Sequence, residues 1–101
     1  MSFGNLQKMA AQMQRENARI DEELQAARLE GTAGGGAVSV VVTGKREIVS
    51  VTIDPAAVDP ADVEMLEDLV LTAVKEALTA SRDLEVAKMG ALARGLGLPG
   101  M

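Results

Sequence analysis

Apolar and small side chains in the first quarter of the chain recur at Phe3, Leu6, Ala10, Met13, Asn17, Ile20, Leu24 and Ala27, in steps that alternate between three and four. That spacing predicts a helix over about residues 3–27, with a narrow heptad seam broken once by a polar residue, Asn17. Gln, Glu, Arg and Lys, all good helix formers, fill the remaining positions. A seam this narrow suits packing on another helix better than burial in a broad core. The period then switches to two. Val38, Val40 and Val42 alternate with Ser39, Val41 and Thr43; beyond Gly44-Lys45-Arg46, Val49, Val51 and Ile53 alternate with Ile48, Ser50 and Thr52. This predicts an antiparallel hairpin with one apolar face. A short strand over residues 28–33, joined to the hairpin by Gly34-Gly35-Gly36, is compatible with the pattern.

Asp54-Pro55 ends the hairpin, and Asp59-Pro60-Ala61-Asp62 opens a second helix. Asp59 is the expected cap, Pro60 fits the first helical position and Asp62 complements the helix dipole. Val63, Leu66, Val70, Val74, Ala77, Leu78, Ser81 and Leu84 then give a wide apolar stripe. The helix is expected to fray near Met89-Gly90. A single domain over residues 1–89 is therefore expected, followed by a flexible tail over 90–101 that holds four glycines and Pro99.

Element lengths add a shape. Strands of about seven residues span roughly 23 Å, whereas a helix of about 24 residues spans roughly 36 Å. Both helices overhang such a sheet. If they lie antiparallel, the start of the first and the end of the second project on the same side. Charge follows the same division. The formal net charge is −5, yet residues 1–20 sum to +2, residues 82–101 to +1 and residues 21–81 to −8. Screening confines each charge to roughly 8–10 Å, so this polarity survives the negative total. An acidic body with a protruding basic helical arm is expected.

Composition narrows the chemistry. The chain has no Cys, His, Tyr or Trp, and Phe3 is its single aromatic residue. The commonest general base, the usual zinc ligands and all thiol chemistry are thereby missing, so no enzyme, metal site or cofactor is expected. The absence of cysteine suits a reducing cytosol, and no apolar run approaches the roughly 20 residues of a membrane span. Without aromatic rings the core lacks the large area each ring buries. A small domain of this kind gains stability from a partner subunit, and the chain is expected to work as a dimer.

The motifs are mostly bland. Gly31-Thr32-Ala33-Gly34-Gly35-Gly36 lacks the Lys-Ser/Thr and following helix of a P-loop, the preceding strand of a dinucleotide site, and the basic residue and flanking helices of a KH clamp. It reads as a flexible connector. Gly44-Lys45-Arg46 reads as a hairpin turn with solvated charges. Glu64, Glu67 and Asp68, at helical spacing, read as a solvated face. Met9 and Met13, one turn apart, read as seam packing.

Three stretches together resemble the YbaB/EbfC family of nucleoid-associated proteins: Leu6-Gln7-Lys8-Met9-Ala10-Ala11-Gln12-Met13-Gln14; Val51-Thr52-Ile53-Asp54-Pro55 followed by Glu64-Met65-Leu66-Glu67-Asp68-Leu69-Val70; and Lys88-Met89 with Gly97-Leu98-Pro99-Gly100. In this order they cover nearly the whole chain. The resemblance implies an α+β fold of order α-β-β-β-α, a tweezer-shaped homodimer, and double-stranded DNA as partner with little or modest sequence preference. It further implies a bacterial nucleoid setting near recombination and repair proteins, whereas a cytoplasmic location is expected from the residues themselves. The residues expected at the DNA are Lys8, Arg15, Arg19, Arg82 and Lys88, with Arg94 added if the tail orders. Related sequences often carry adjacent basic residues midway along the second helix, where Ala80-Ser81-Arg82-Asp83 offers one beside an acid. They also carry a larger aliphatic residue at the position of Ala37. A dimeric protein–protein adaptor with incidental DNA binding is the competing expectation, favoured by the net charge and opposed by the basic arm tips.

Overall fold

The computed structural model describes residues 2–95. Helix α1 (Phe3–Ala26) leads into strands β1 (Leu29–Ala33), β2 (Val38–Val42) and β3 (Ile48–Ile53), and a 3-10 turn at Pro55–Ala57 precedes helix α2 (Val63–Gly95). The strands form one antiparallel sheet in the order β1-β2-β3. The α-β-β-β-α order is the expected one, and the strand over residues 28–33 is real. Ser2 caps α1 by accepting from the Asn5 amide. At the other helix the expected cap is displaced. Asp62 accepts from the Met65 amide three residues on, whereas Asp59 closes a local turn on Ala61. Helix α2 also runs on through Gly90 to Gly95, beyond the expected fraying point. The remainder of the anticipated tail, with Gly97-Leu98-Pro99-Gly100, lies outside the described residues.

The core forms where α2 crosses β1 and β2. Val38, Val40 and Val42 of β2, Ala33 of β1, and Ala73 and Ala77 of α2 are buried together, flanked by Leu29, Leu66, Leu69, Val70, Val74 and Leu78. The buried line on α2 is Ala73, Ala77 and Ser81, side chains small enough to bring the helix backbone down onto the sheet. Gly31 completes that approach: a Cβ there would stand 2.2 Å from the Ala73 carbonyl oxygen and 2.4 Å from the Ala77 nitrogen. The glycine-rich stretch is thus no plain connector. Gly31 belongs to β1, and Gly34, Gly35 and Gly36 turn the chain at φ of 64°, 68° and 93°, values that disfavour a side chain.

Strand β3 departs from the expected picture. Val51 stands opposite Val40 and Ile53 opposite Val38, so both share the inner face of the sheet. Yet Val51 is 48% and Ile53 36% exposed, because α2 covers β1 and β2 and leaves β3 bare. The register slips between Val41 and Val42, pairing Val42 with Ile48. Val49 is left without an opposite residue, and Ile48 takes its expected place on the inner face.

Helices α1 and α2 lie antiparallel. Lys88 reaches Glu23, and Gly95 lines the same cleft as Gln12 and Glu16. Only the second half of the α1 seam is buried, at Ile20 and Leu24; Asn17 is exposed. The arm is fixed to the sheet at one junction. The Gly44 amide donates to the Leu24 carbonyl at 2.7 Å, and the buried Ser81 hydroxyl donates to the Thr43 carbonyl at 2.8 Å. The Thr43 hydroxyl accepts from the Lys45 and Glu47 amides, holding the turn in which Arg46 adopts φ 62°. Beyond the junction the helices continue alone, and the molecule measures 70 × 21 × 16 Å.

Candidate nucleic-acid interface

Lys8, Gln12, Arg15 and Arg19 follow one another at steps of four, three and four, so they form a single ridge along α1. All four are exposed. The ridge spans about 16 Å, and it lies to one side of the apolar seam. Among the described residues, Lys8 and Arg15 make no ion pair. Both therefore present full, hydrated charges to an incoming anion.

Arg19 and Lys88 are placed differently. Arg19 donates to Glu16 and to Glu23, each at 2.7 Å, and Lys88 donates to the other oxygen of Glu23 at 2.9 Å. Glu23 is thus held between two cations. The Lys88 hydrogen bond, followed by that from Arg19, holds its carboxyl below the usual carboxylate range. The hydrogen bond from Glu16, then that from Glu23, raises Arg19 above its ordinary value. A depressed carboxylate contributes stability above its ordinary range and loses it as pH falls through its folded value. The clasp between the helices is therefore present at neutral pH and loosens in acid. A cleft of about 390 Å³ runs beneath it, between Gln12, Arg19 and Ile20 on α1 and Lys88, Leu92 and Gly95 on α2.

Arg82 follows the buried Ser81 and is exposed at the level of the junction, not at the arm tip. Arg94 lies in the last turn of α2. Neither forms an ion pair among the described residues. The structure therefore brings Lys8, Arg15, Arg19, Lys88 and Arg94 onto one arm and leaves Arg82 at its base. The partial neutralisation of Arg19 was readable in advance, since Glu16 and Glu23 stand three before and four after it. The bridge from Lys88 to Glu23 crosses 65 positions and had no local signature.

The turn carries basic residues too, but they are engaged. Lys45 donates to Asp21 at 2.6 Å and Arg46 to Glu85 at 2.8 Å, and the Asp21 hydrogen bond raises Lys45 above its ordinary value. At the far end of α2, Glu64, Glu67 and Asp68 are exposed, about 45 Å along the helix axis from Arg94.

A family model described as the YbaB/EbfC DNA-binding family matches residues 1–96. A protein of Desulforamulus reducens named nucleoid-associated protein is 51% identical, with 100% of this chain and 99% of that protein covered. Another of the same name from Acetivibrio thermocellus is 48% identical over 99% of this chain and 89% of its own length. The crystal structure of an uncharacterized Helicobacter pylori protein superposes with a TM-score of 0.76, covering 95% of this chain and 97% of that one at 24% identity, which supports the fold. On the breadth of these matches, the chain belongs to the YbaB/EbfC DNA-binding family.

Proposed function

We propose that the protein binds double-stranded DNA as a homodimer, chiefly through phosphate contacts from its helical arms, in the nucleoid setting that its relatives' names indicate. The observation that carries this reading is the α1 ridge, where Lys8 and Arg15 stand unpaired on a protruding arm while the cations of the hairpin turn are neutralised by carboxylates. Arg94 and Arg82 add to it. Arg19 and Lys88 join by exchanging Glu23 for phosphate. Phosphate contacts position a protein without carrying base identity, so little sequence preference is expected. With single aromatic Phe3, the chain has no stacking platform for unpaired bases, which favours duplex over single strands.

Retardation of duplex DNA across a salt series tests the reading. Two arms bring roughly four to eight cations near phosphates, and each contributes about −0.9 to the slope of log affinity against log salt, so a slope of roughly −4 to −7 is expected. Absence of retardation at about 50 mM salt would remove DNA as the partner. The Glu23 clasp supplies a finer measurement. Glu23→Gln removes the competing charge from Arg19 and Lys88 and should tighten duplex binding several-fold while steepening the salt slope by about 1 or 2. Weakened binding in that variant would mean that the clasp positions these cations rather than sequestering them.

The dimer is supported by the bare inner face of β3. Beside Val51 and Ile53, the flank of α2 opposite Glu76 carries Leu66, Val70, Leu71 and Val74 around an open apolar groove. Each is exposed apolar surface that a second copy can cover. Sedimentation at micromolar protein should give twice the 10.5 kDa chain mass. Val51→Asp places a charge on that face and should yield monomers with much weaker DNA binding. A Val51→Asp protein that remains dimeric would place the interface elsewhere.

A further inference from the structure

The α1 ridge is not cationic throughout. Gln12 follows Lys8 by one turn and precedes Arg15 by one turn, so a neutral amide stands between the two cations that make no ion pair among the described residues. Gln12 is exposed, and among the described residues its side-chain amide makes no hydrogen bond. The other amides of α1 are placed differently. Gln25 donates to Asp21, and Asn17 lines a second cleft with Asp21 and Lys45. Gln7 and Gln14 lie more than about 100° around the helix axis from the ridge, and Asn5 precedes Lys8 and falls outside the interval. Chemistry separates the amide from its neighbours. Phosphate oxygens only accept, which suits Lys8 and Arg15. A carboxamide both donates and accepts, and against a phosphate its carbonyl oxygen finds no donor. Adenine offers the matching pair in the major groove, where N7 accepts and the N6 amino group donates.

We propose that Gln12 is the residue through which the arm reads bases, taking adenine by a bidentate pair of hydrogen bonds in the major groove while Lys8 and Arg15 hold the phosphates on either side. The proposal rests on the duplex-DNA reading and adds to it a source of modest sequence preference. Spacing supports it. Lys8 and Arg15 are separated by about 10.5 Å along the helix axis, close to the roughly 12 Å width of the major groove. A helix set obliquely in the groove brings the two cations toward the phosphates of opposite strands, and the amide between them toward the base edges. The cations fix the position of the arm, and the amide gives that position a base identity.

Duplexes that the protein selects from a randomised pool are remade with 7-deazaadenine, which lacks the N7 acceptor but keeps the base pairing and the phosphates. The unmodified protein should bind the remade duplexes about fivefold more weakly. Gln12→Ala places the better helix former at an exposed position and should bind both kinds of duplex alike, with an unchanged salt slope because no phosphate contact is lost. Gln12→Glu, an acceptor only, should move the selection toward cytosine, whose N4 amino group donates. Equal affinity of the unmodified protein for the two kinds of duplex overturns the proposal. So does a Gln12→Ala protein that still distinguishes them, or a Gln12→Glu protein that still selects adenine. Failure of the DNA reading itself looks different: the unmodified protein then retards neither duplex at about 50 mM salt, and the proposal falls with it.

Discussion

Gly31→Ala is expected to unfold the domain or bring it close to unfolding. The added Cβ would meet the Ala73 carbonyl oxygen at 2.2 Å and the Ala77 nitrogen at 2.4 Å. Those are backbone atoms of a helix and cannot rotate aside. The helix would have to lift from β1, opening the contact that buries Ala33, Val38, Val40, Ala73 and Ala77. Overpacking of a yielding core costs about 1–3 kcal/mol; an unyielding contact belongs at or above the upper end. For a domain of this size, about 3 kcal/mol lowers Tm by roughly 12–24 °C. Gly4→Ala is the control. Nothing lies within 4 Å of a Cβ at that exposed helical position, and alanine there should raise Tm slightly. Equal melting of both variants would mean that α2 does not sit on Gly31 as closely as described.

Reversing the charges of the arm ridge should nearly abolish DNA binding without unfolding the protein. Lys8→Glu with Arg15→Glu changes the arm of each chain by four charge units, at positions that are exposed and make no ion pair among the described residues. Surface substitutions of this kind usually change stability by no more than about 0.5 kcal/mol. In a dimer, four phosphate contacts vanish and four acids replace them. A loss of at least 100-fold at about 50 mM salt is expected, with a flattened salt slope. Lys45→Glu with Arg46→Glu imposes the same charge change at the hairpin turn, where both cations are already neutralised by Asp21 and Glu85. That pair should matter much less for DNA. A turn variant that loses more affinity than the arm variant would move the contact surface from the arm to the sheet.

Much of this architecture is legible in the residues alone, because its elements announce themselves locally. The three-and-four spacing of α1, the alternation from Val38 to Ile53 and the Asp-Pro punctuation before α2 each report a single element. What stayed hidden depends on how elements meet. Gly31 reads as the start of a loose connector, since its contact with Ala73 and Ala77 involves a helix more than forty residues away in the chain. The alternation of β3 shows an inner face but not that α2 passes it by, and the slip at Val49 moves Ile48 onto that face. Asp59 and Asp62 are chemically equivalent caps, and only backbone geometry gives the role to Asp62. Among the basic residues, charge alone cannot separate the unpaired Lys8 and Arg15 from the clasped Arg19 and Lys88. The first clamp partners of Arg19 are visible at helical spacing, but the bridge that makes Glu23 shared is tertiary.

The junction at Leu24, Thr43, Gly44 and Ser81 has a mechanical meaning. Two hydrogen bonds to backbone carbonyls, both at the root of the arm, act as the pivot of a long lever. From Leu24 to Phe3 the helix runs about 31 Å. A tilt of about 10° at the pivot therefore carries the tip about 5 Å, close to half the roughly 12 Å width of a DNA major groove. The position of the tip relative to the sheet thus depends on a few atoms at the pivot, where Ser81→Ala would loosen the lever without touching any cation.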